Sequence, residues 1–558
     1  MLSCIYKLYT KILTNRLDNF CDLNNIRVDE QNGFRKDRSC VDHIFTLTCI
    51  LRNRQNLKMS TFAAFIDFQK AFDCVDRDLL MYKLIRFYNI NGMFYKAVKS
   101  LHENSLSSVR INDLYTDWFS VKSGVRQGDS FSPLLFSLYV NDLAVEISSL
   151  NCGVDFGDDS ISILMYADDM VFLSPTEHKL QKLLNTLYEW CKKWRMMLNK
   201  EKTQIVHFRP CRKEKTNYGF TFGGHLLQIV DKYKYLGLYL NEKINYSVSA
   251  NILAEAGGRA LGSIRNKLNS IKECGYNTFT KMYNAGVLPV MVYAAGVWGF
   301  KNYDKLDNLQ RKAMRYFLGV HRFASNHVIE GDMGWPPTSV SRHVEMLRLW
   351  NRLVTLRENR LTKKIFDYDY NCLNNNWSSE VKQIFTKIDK IDLFLSKSLC
   401  DVEEAKDILF KVEIDKWEQT RYSKCKLRYY NIFKTEFGVE DYVKLNLPKY
   451  KRSIIAQFRS GILPLSVETG RFRNIPLEDR ICIFCNHNQI EDEFHFLTQC
   501  PLYELFRKLL YDQILLYDNS FVQLDDFDKF IYININFQNL LVNFLCRAVT
   551  KRNECIYS

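Results

Sequence analysis

The chain has 558 residues, too many for one ordinary core, and 47% of them are apolar, too many for a chain that stays unfolded; two to four packed domains are expected. Lysine and arginine exceed aspartate and glutamate by 77 − 63 = 14, an excess spread along the sequence that suits a polyanionic partner. Seventeen cysteines stand mostly singly in apolar contexts, as at Cys4, Cys49, Cys74 and Cys191, which predicts reduced, intracellular thiols and argues against a secreted disulfide scaffold.

The opening segment, MLSCIYKLYTKILTNRL, has lysines and an arginine where a signal peptide needs an uninterrupted apolar stretch. No later run is long and apolar enough to cross a bilayer. The periodicity predicts a helix from Ile5 to Leu17 with Ile5, Leu8, Ile12 and Leu13 on one side. The loop VDEQNGFRKDRSC follows. Its Arg35, Lys36 and Arg38 are either a solvated surface or a phosphate clamp, since guanidinium groups bind phosphate in a bidentate manner. A helix is predicted from about Val41 to Arg54. Next, TFAAFIDFQKAFDCVDRDLL reads as a strand, Phe62 to Phe68, that runs into a helix. Asp67, near the end of that apolar strand, is unfavourable without a cation. Phe72 lies where the chain turns away, Asp76 has the character of an N-cap, and Asp73 is given no role.

Two short strands with Asn112 and Asp113 at or near their turn lead into GVRQGDSFSP. There Gly124 and Gly128 permit close backbone approach to a ligand, and Ser132-Pro133 starts a helix from Leu134 to Leu143. The stretch ILMYADDMVFLSP, residues 163–175, has an apolar run on each side of Asp168 and Asp169. Runs this short predict the two strands of a hairpin, with both carboxylates at the turn. Either the turn is a polar tip facing water or a divalent cation binds there. A helix follows, with Leu180, Leu183, Leu184, Leu187 and Trp190 or Cys191 on its apolar face. It leads through LNKEKT to a strand, and VDKYKYLGLYL predicts a strand pair. Helices with small-residue contacts fill residues 248–345. Arg311, Lys312, Arg315 and Arg322 there either track a duplex backbone or line an ordinary amphipathic face. A charged helical stretch comes next, then a basic, aromatic segment from Tyr442 to Arg473 with Lys449, Lys451, Arg452 and Arg459. Near the end, Cys482-x2-Cys485-x9-His495-x4-Cys500 offers three thiolates and an imidazole at zinc-ligand spacing, with His487 as a rival ligand.

Taken in order, Asp67-x4-Phe72 on a strand, Gln127-Gly128-x3-Ser132-Pro133, and Tyr166-Ala167-Asp168-Asp169 in a hairpin resemble a reverse transcriptase, specifically that of non-LTR (LINE-type) retrotransposons. The opening helix, QNGFRKDRS, VLPVMVYAAGVWGF and LDNLQRKAMRYFLGVHR resemble the same family. The CCHC set resembles the element downstream of its polymerases. The resemblance implies an α+β, right-hand polymerase: fingers and palm with an antiparallel sheet over residues 1–245 and a helical thumb over 246–345. A helical connecting region over 346–470 and a mainly helical C-terminal region with a small CCHC zinc element over 471–558 would follow.

The implied activity is RNA-directed DNA synthesis from a primer 3′-hydroxyl by two-metal nucleotidyl transfer. Mg²⁺ or Mn²⁺ is then held by Asp67, Asp168 and Asp169, with the Phe68 carbonyl as a further ligand. Phe72 takes the steric-gate position against a 2′-hydroxyl. Gln127 and Gly128 lie against the incoming nucleotide and template, and Arg35 or Arg38 contacts triphosphate or template. Lys202 either protonates the leaving pyrophosphate or is a solvated turn lysine, and Tyr235, Leu236 and Gly237 lie near the primer. Cys482, Cys485, His495 and Cys500 hold structural Zn²⁺. The implied partners are an RNA template, a DNA primer or target and dNTPs, with no membrane and a nuclear site of action. The sequence starts inside the fingers pattern and shows no restriction-like endonuclease constellation after Cys500, so a missing endonuclease and a truncated copy are expected. The alternative is a catalytically inactive remnant that only binds nucleic acid. A group II intron-like or telomerase-like polymerase is disfavoured by the segments after the palm and by the CCHC element.

Overall fold

The computed structural model describes residues 2–103, 105–157, 159–271, 274–421, 427 and 429–557. The chain forms two compact units. The first comprises residues 1–249, 296–298 and 346–400, and the second comprises 250–295, 299–345 and 401–558.

The first unit is built around a strand with no exposed side. Its sequence, TFAAFI, is buried at every position, and a strand that is apolar on both faces needs cover on both. Five strands, β1 (Thr61–Ile66), β2 (Ile163–Tyr166), β3 (Asp169–Ser174), β4 (Gln204–Phe208) and β5 (Gln228–Val230), form one sheet in the order β5-β4-β1-β3-β2. β1 is central and antiparallel to both neighbours; only β4 and β5 run parallel. The helices of this unit include α1 (Cys4–Leu23), α2 (Cys40–Asn56), α3 (Arg77–Arg86), α4 (Ser132–Ser149) and α5 (Glu177–Lys193). One face of β1, with Phe62, Ala64 and Ile66, shares a core with Leu13 and Leu17 of α1, Leu80 and Leu84 of α3, Leu135 and Leu138 of α4, and the leucine stripe of α5. On the other face Phe65 stacks on Tyr233 at 4.3 Å between ring centroids and packs against Tyr235. Those tyrosines belong to a hairpin of β6 (Lys232–Tyr235) and β7 (Leu238–Asn241).

The α5 stripe is the expected one, with Leu180, Leu183, Leu184, Leu187, Trp190 and Cys191 all buried. α1 differs from expectation. It runs on to Leu23 and buries Thr10, Leu13, Leu17 and Cys21. Ile5, Leu8 and Ile12 are exposed, and so is Cys4. The sequence holds two apolar rows on this helix, and the row set by Leu13 and Leu17 faces the core.

α2 explains a second difference. Ten consecutive residues, Asp42 to Leu51, are buried, so this helix is covered all round. The cover comes from residues 346–400, which form part of the same unit. Arg352 grips Asp42 with two bonds of 2.5 and 2.6 Å, and Arg360 donates to the Asp37 carbonyl at 2.9 Å. Asp29 accepts from the Leu361 amide, and Trp377 packs edge-on against Phe45 at 4.9 Å. The stretch expected as one connecting region, 346–470, is therefore divided, with residues from 401 onward in the second unit.

The second unit is predominantly helical. Its interior holds a charged cluster in which Arg459 pairs with Asp332 at 3.2 Å and Glu440 at 2.8 Å. The Tyr430 and Tyr442 hydroxyls each donate to Asp332 at 2.8 Å. A buried ion pair is tolerable only when its remaining lone pairs are satisfied in this way. No helix among the described residues is long and apolar enough to cross a membrane.

Asp42 caps α2 through a box with Ser39 as well as holding Arg352. Asp42→Ala should destabilise the first unit by about 3 kcal/mol, read from urea unfolding. An unchanged midpoint would mean that the Asp42–Arg352 pair contributes nothing to this cover.

Candidate active site and metal cluster

Strand register decides where three carboxylates meet. β1 ends with Ile66 opposite Met170 of β3, and the β2–β3 hairpin closes with Tyr166 opposite Asp169. Asp67 is the next residue after Ile66, Asp169 immediately precedes Met170, and Asp168 lies in the two-residue turn. Pairing alone thus brings all three to one end of the sheet. The backbone of Asp67 is held from the other side too. Its carbonyl accepts from the Asn199 amide at 2.7 Å, its amide donates to Thr203 Oγ1 at 3.2 Å, and Phe68 bridges to Leu198. The LNKEKT segment is therefore a brace for Asp67, with Lys202 exposed on it.

Electrostatics confirm that the three charges crowd one another. Burial and then Asp168 and Asp67 push the Asp169 carboxyl up to about 6, and burial and then Asp67 raise Asp168. Burial and then Asp169 and Asp67 push the Tyr233 hydroxyl up to about 12. Among the described residues no lysine or arginine forms an ion pair with Asp67, Asp168 or Asp169. An oxygen-only set with unbalanced negative charge fits a hard divalent cation.

The turn is locked by a loop far away in sequence. Ala167 has φ +59°, a region costly for a residue with a Cβ. Its amide donates to Gln31 Oε1 at 2.9 Å, and Gln31 Nε2 donates back to its carbonyl at 3.3 Å. The Gly33 amide also donates to Gln31 Oε1 at 2.9 Å. A Cβ on Gly33 would lie 2.2 Å from the Ala167 nitrogen, so only glycine fits. Behind the turn Asn32 Nδ2 donates to His43 Nδ1 at 2.8 Å, and His43 Nε2 lies 2.9 Å from the Tyr235 hydroxyl. Burial and then Arg38 drive the His43 imidazolium down to about 3, so the ring is neutral. An amide nitrogen can only donate, which places the ring proton on Nε2, toward Tyr235. Tyr235 is thus a buried part of this lock.

Phe72 is half-buried, stacked on Phe136 at 4.6 Å and met edge-on by Phe34 at 6.2 Å. Val125 donates to the Phe72 carbonyl at 2.9 Å and Gly124 to the Val75 carbonyl at 2.8 Å, so the glycine-rich loop is tied to the turn after β1. Gln127 Nε2 donates to Asp73 at 3.0 Å, which gives Asp73 a positioning contact that its sequence context did not suggest. Gly128 has φ +95° and open space around it, so its backbone conformation is what requires glycine. Asp129 accepts from the Phe131 and Ser132 amides at 2.9 and 2.7 Å and starts α4. Arg38 pairs with Asp29 and donates to Asn32 Oδ1 at 2.6 Å. Arg35 donates to the Val28 and Gln31 carbonyls at 2.8 and 3.3 Å. Both arginines therefore shape the loop that carries Gln31.

The second unit holds a separate cluster. Ligand atoms of Cys482, Cys485, His495 and Cys500 all lie within 4.8 Å of one another, and no carboxylate set among the described residues is drawn together as closely. The Cys482 amide donates to the Gln489 carbonyl at 2.8 Å beside a bridge between Ile481 and Ile490, which folds the loop bearing Cys485. The Cys500 amide donates to the His495 carbonyl at 2.9 Å, an i to i+5 closure that makes the four-residue spacer bring both ligands together. Gln489 Oε1 lies 3.0 Å from His495 Nδ1, leaving Nε2 directed at Cys485 Sγ, 3.5 Å away. His487, the rival, is outside the cluster.

Residues 1–240 match the family described as reverse transcriptase (RNA-dependent DNA polymerase). This chain carries a reverse transcriptase domain. Its relatives include the probable RNA-directed DNA polymerase from transposon BS of Drosophila melanogaster, 28% identical over 64% of this chain and 40% of that protein. Another is the RNA-directed DNA polymerase from mobile element jockey of the same organism, 24% identical over 60% of this chain and 37% of that protein. The chain thus spans about two fifths of the first relatives it matches. A telomerase structure from Candida albicans aligns over 74% of this chain and 55% of its own at 12% identity, with a TM-score of 0.36. The reverse transcriptase domain contains every acidic, aromatic and basic residue singled out for nucleotidyl transfer, and the cysteine–histidine cluster lies beyond it.

The domain's crowded carboxylates have a pH signature. Because the folded value for Asp169 is about 6 and the ordinary one 3.8, the folded protein binds that proton more tightly than the unfolded chain does. Its stabilising effect is full below 3.8 and is lost as pH rises through about 6. In a chelator, Asp169→Asn should therefore raise Tm at neutral pH and flatten the decline in Tm between those values. Parallel pH profiles for both proteins would contradict the crowding.

Proposed function

We propose that the reverse transcriptase domain is an RNA-directed DNA polymerase that extends a DNA primer 3′-hydroxyl with dNTPs on an RNA template. The observation that carries this is the convergence of Asp67, Asp168 and Asp169, fixed by register and short of positive charge. These carboxylates, with the Phe68 carbonyl, would hold two Mg²⁺ or Mn²⁺ ions, whose chemistry is to stabilise the attacking and leaving oxygens of an in-line displacement. The remaining work falls to the chain itself. Gln31 and Gly33 keep the turn from moving while charge changes beside it. The Phe72 ring, wedged between Phe136 and Phe34, lies under the incoming sugar and excludes a 2′-hydroxyl. Gln127, oriented by Asp73, and Gly128 meet the nucleotide and template.

Arg35 is the better triphosphate contact of the two fingers arginines. Arg38 is consumed by Asp29 and Asn32. Burial and then Arg38 and Arg27 lower Arg35 to about 10, with Asp29 and Asp22, the latter 4.0 Å away, only partly offsetting them, so an incoming phosphate would relieve it. Lys202, exposed on the brace of Asp67, would give a proton to the departing pyrophosphate. The nucleus, where chromosomal DNA supplies a primer, is the corresponding site of action.

Primer extension on a poly(rA)/oligo(dT) template with Mg²⁺ tests this reading. Asp168→Ala should lower synthesis by roughly a thousandfold or more, since the lost carboxylate holds transition-state charge. Synthesis that survives the substitution would refute the assignment. Salt-sensitive RNA binding without synthesis from the folded wild-type protein would leave a binding remnant.

We also infer that Cys482, Cys485, His495 and Cys500 hold a structural Zn²⁺. A tetrahedral ion at ordinary bond lengths separates two sulfurs by about 3.8 Å and a sulfur and nitrogen by about 3.5 Å. Cys482 and Cys500 sulfurs are 3.9 Å apart, and Cys485 Sγ to His495 Nε2 is 3.5 Å. A disulfide would need about 2.05 Å. Release by a chelator should yield one zinc per chain and lower the melting temperature of the second unit. Metal analysis showing no zinc in freshly purified protein would overturn this assignment.

A further inference from the structure

Three cations gather in the second unit where no carboxylate among the described residues pairs with them. Arg265, late in the helix Ser247–Ser270, and Lys449, at the start of the helix Lys449–Arg459, lie over the Tyr316 ring at 4.7 and 4.1 Å from its centroid. Arg452, three residues on, is only 4% exposed and sits 3.8 Å from the Phe317 ring centroid. Its Nε and Nη1 donate to the Phe317 and Leu447 carbonyls at 2.8 and 3.2 Å, and among the described residues its Nη2 makes no hydrogen bond. Among the described residues none of the three forms an ion pair. Burial and then Arg265 and Arg452 lower the Lys449 ammonium. The arrangement differs from Arg311 and Arg315 on the neighbouring helix, which are taken up by Glu330 and Asn326.

Lys449 and Arg452, with Asn269, Cys274, Tyr316 and Phe317, line a cavity of about 170 Å³. The helix Lys449–Arg459 begins there after Pro448, with no side-chain cap and no acidic residue in its first turn. That turn carries Lys449, Lys451 and Arg452 instead. Unpaired amides and the helix dipole already make this end positive, so three cations here are unfavourable unless an anion joins them. The cavity accommodates one phosphate. Arg265 stands on a different helix, so the positive charge extends past what one small ion would span.

We propose that this pocket binds a phosphodiester of a nucleic-acid strand, with Lys449, Arg452 and the first-turn amides around one phosphate and Arg265 on the next. The site rests on nucleic acid as the partner and not on catalysis at Asp169, so a failure of polymerase activity leaves it standing. A binding equilibrium tests it. Arg265→Gln combined with Lys449→Gln alters two side chains outside the core. The double variant should bind a short single-stranded RNA roughly tenfold more weakly, with a log–log salt slope smaller by about 1.4 for two lost phosphate contacts. Unchanged affinity and slope in the folded variant would overturn the proposal. The second readout is alkylation of Cys274, which lines the cavity, followed by peptide mass analysis. RNA should slow it in the wild type, whereas millimolar inorganic phosphate should not. Protection by inorganic phosphate with no change in RNA affinity would make the pocket a small-anion site and overturn the strand assignment.

Discussion

The pairing of Ile66 with Met170 constrains everything in the first unit that bears on chemistry. Side chains alternate along a strand, so a slip of one residue would turn Asp67 to the opposite face from its present one. The register is protected because β1 has no face to spare. Phe62, Ala64 and Ile66 are committed to the helical side, and Phe65 is committed to Tyr233 and Tyr235. Burial on both faces is what lets the sheet end bear three carboxylates that repel one another. The cost is local, and the core that offsets it is large.

The hairpin turn shows how a second constraint supports the first. Ala167 occupies a backbone region that costs a non-glycine residue on the order of 1 kcal/mol. Gln31 offsets that by closing both hydrogen-bonding groups of the residue. Arg38, Asp29, Asn32 and His43 then hold the loop on which Gln31 sits. Arg35 and Arg38 are thus structural before they are anything else, and Arg35 combines a place in the loop with burial beside two other arginines that Asp29 and Asp22 only partly offset.

Much of this site was legible in the sequence because the chemistry depends on residue type over short spans. Asp67 stood out as a charge in an apolar strand, Asp168 and Asp169 as charges between two apolar runs, and the cysteine–histidine set by spacing. The reverse transcriptase assignment followed from their order. Contacts between distant segments were not legible. Gln31 reaches Ala167 across 136 positions, and nothing in the polar loop marks it above its neighbours. The buried row of α1 is not legible because Ile5, Leu8 and Ile12 are as apolar as the row that packs. Lys449 and Arg452 were visible as a basic segment, but Arg265 joins them only through folding.

The cover over α2 has a consequence for how the molecule is made. Residues 346–400 complete a unit that otherwise consists of residues 1–249 and the short stretch 296–298. A ribosome adding 5–20 residues per second therefore needs roughly 8–30 s to supply that final layer. Throughout that interval the outer side of α2, with Phe45 and its neighbours, has no native partner. A vectorially synthesised chain must hold the sheet together, or be held by a chaperone, until its own later segment arrives.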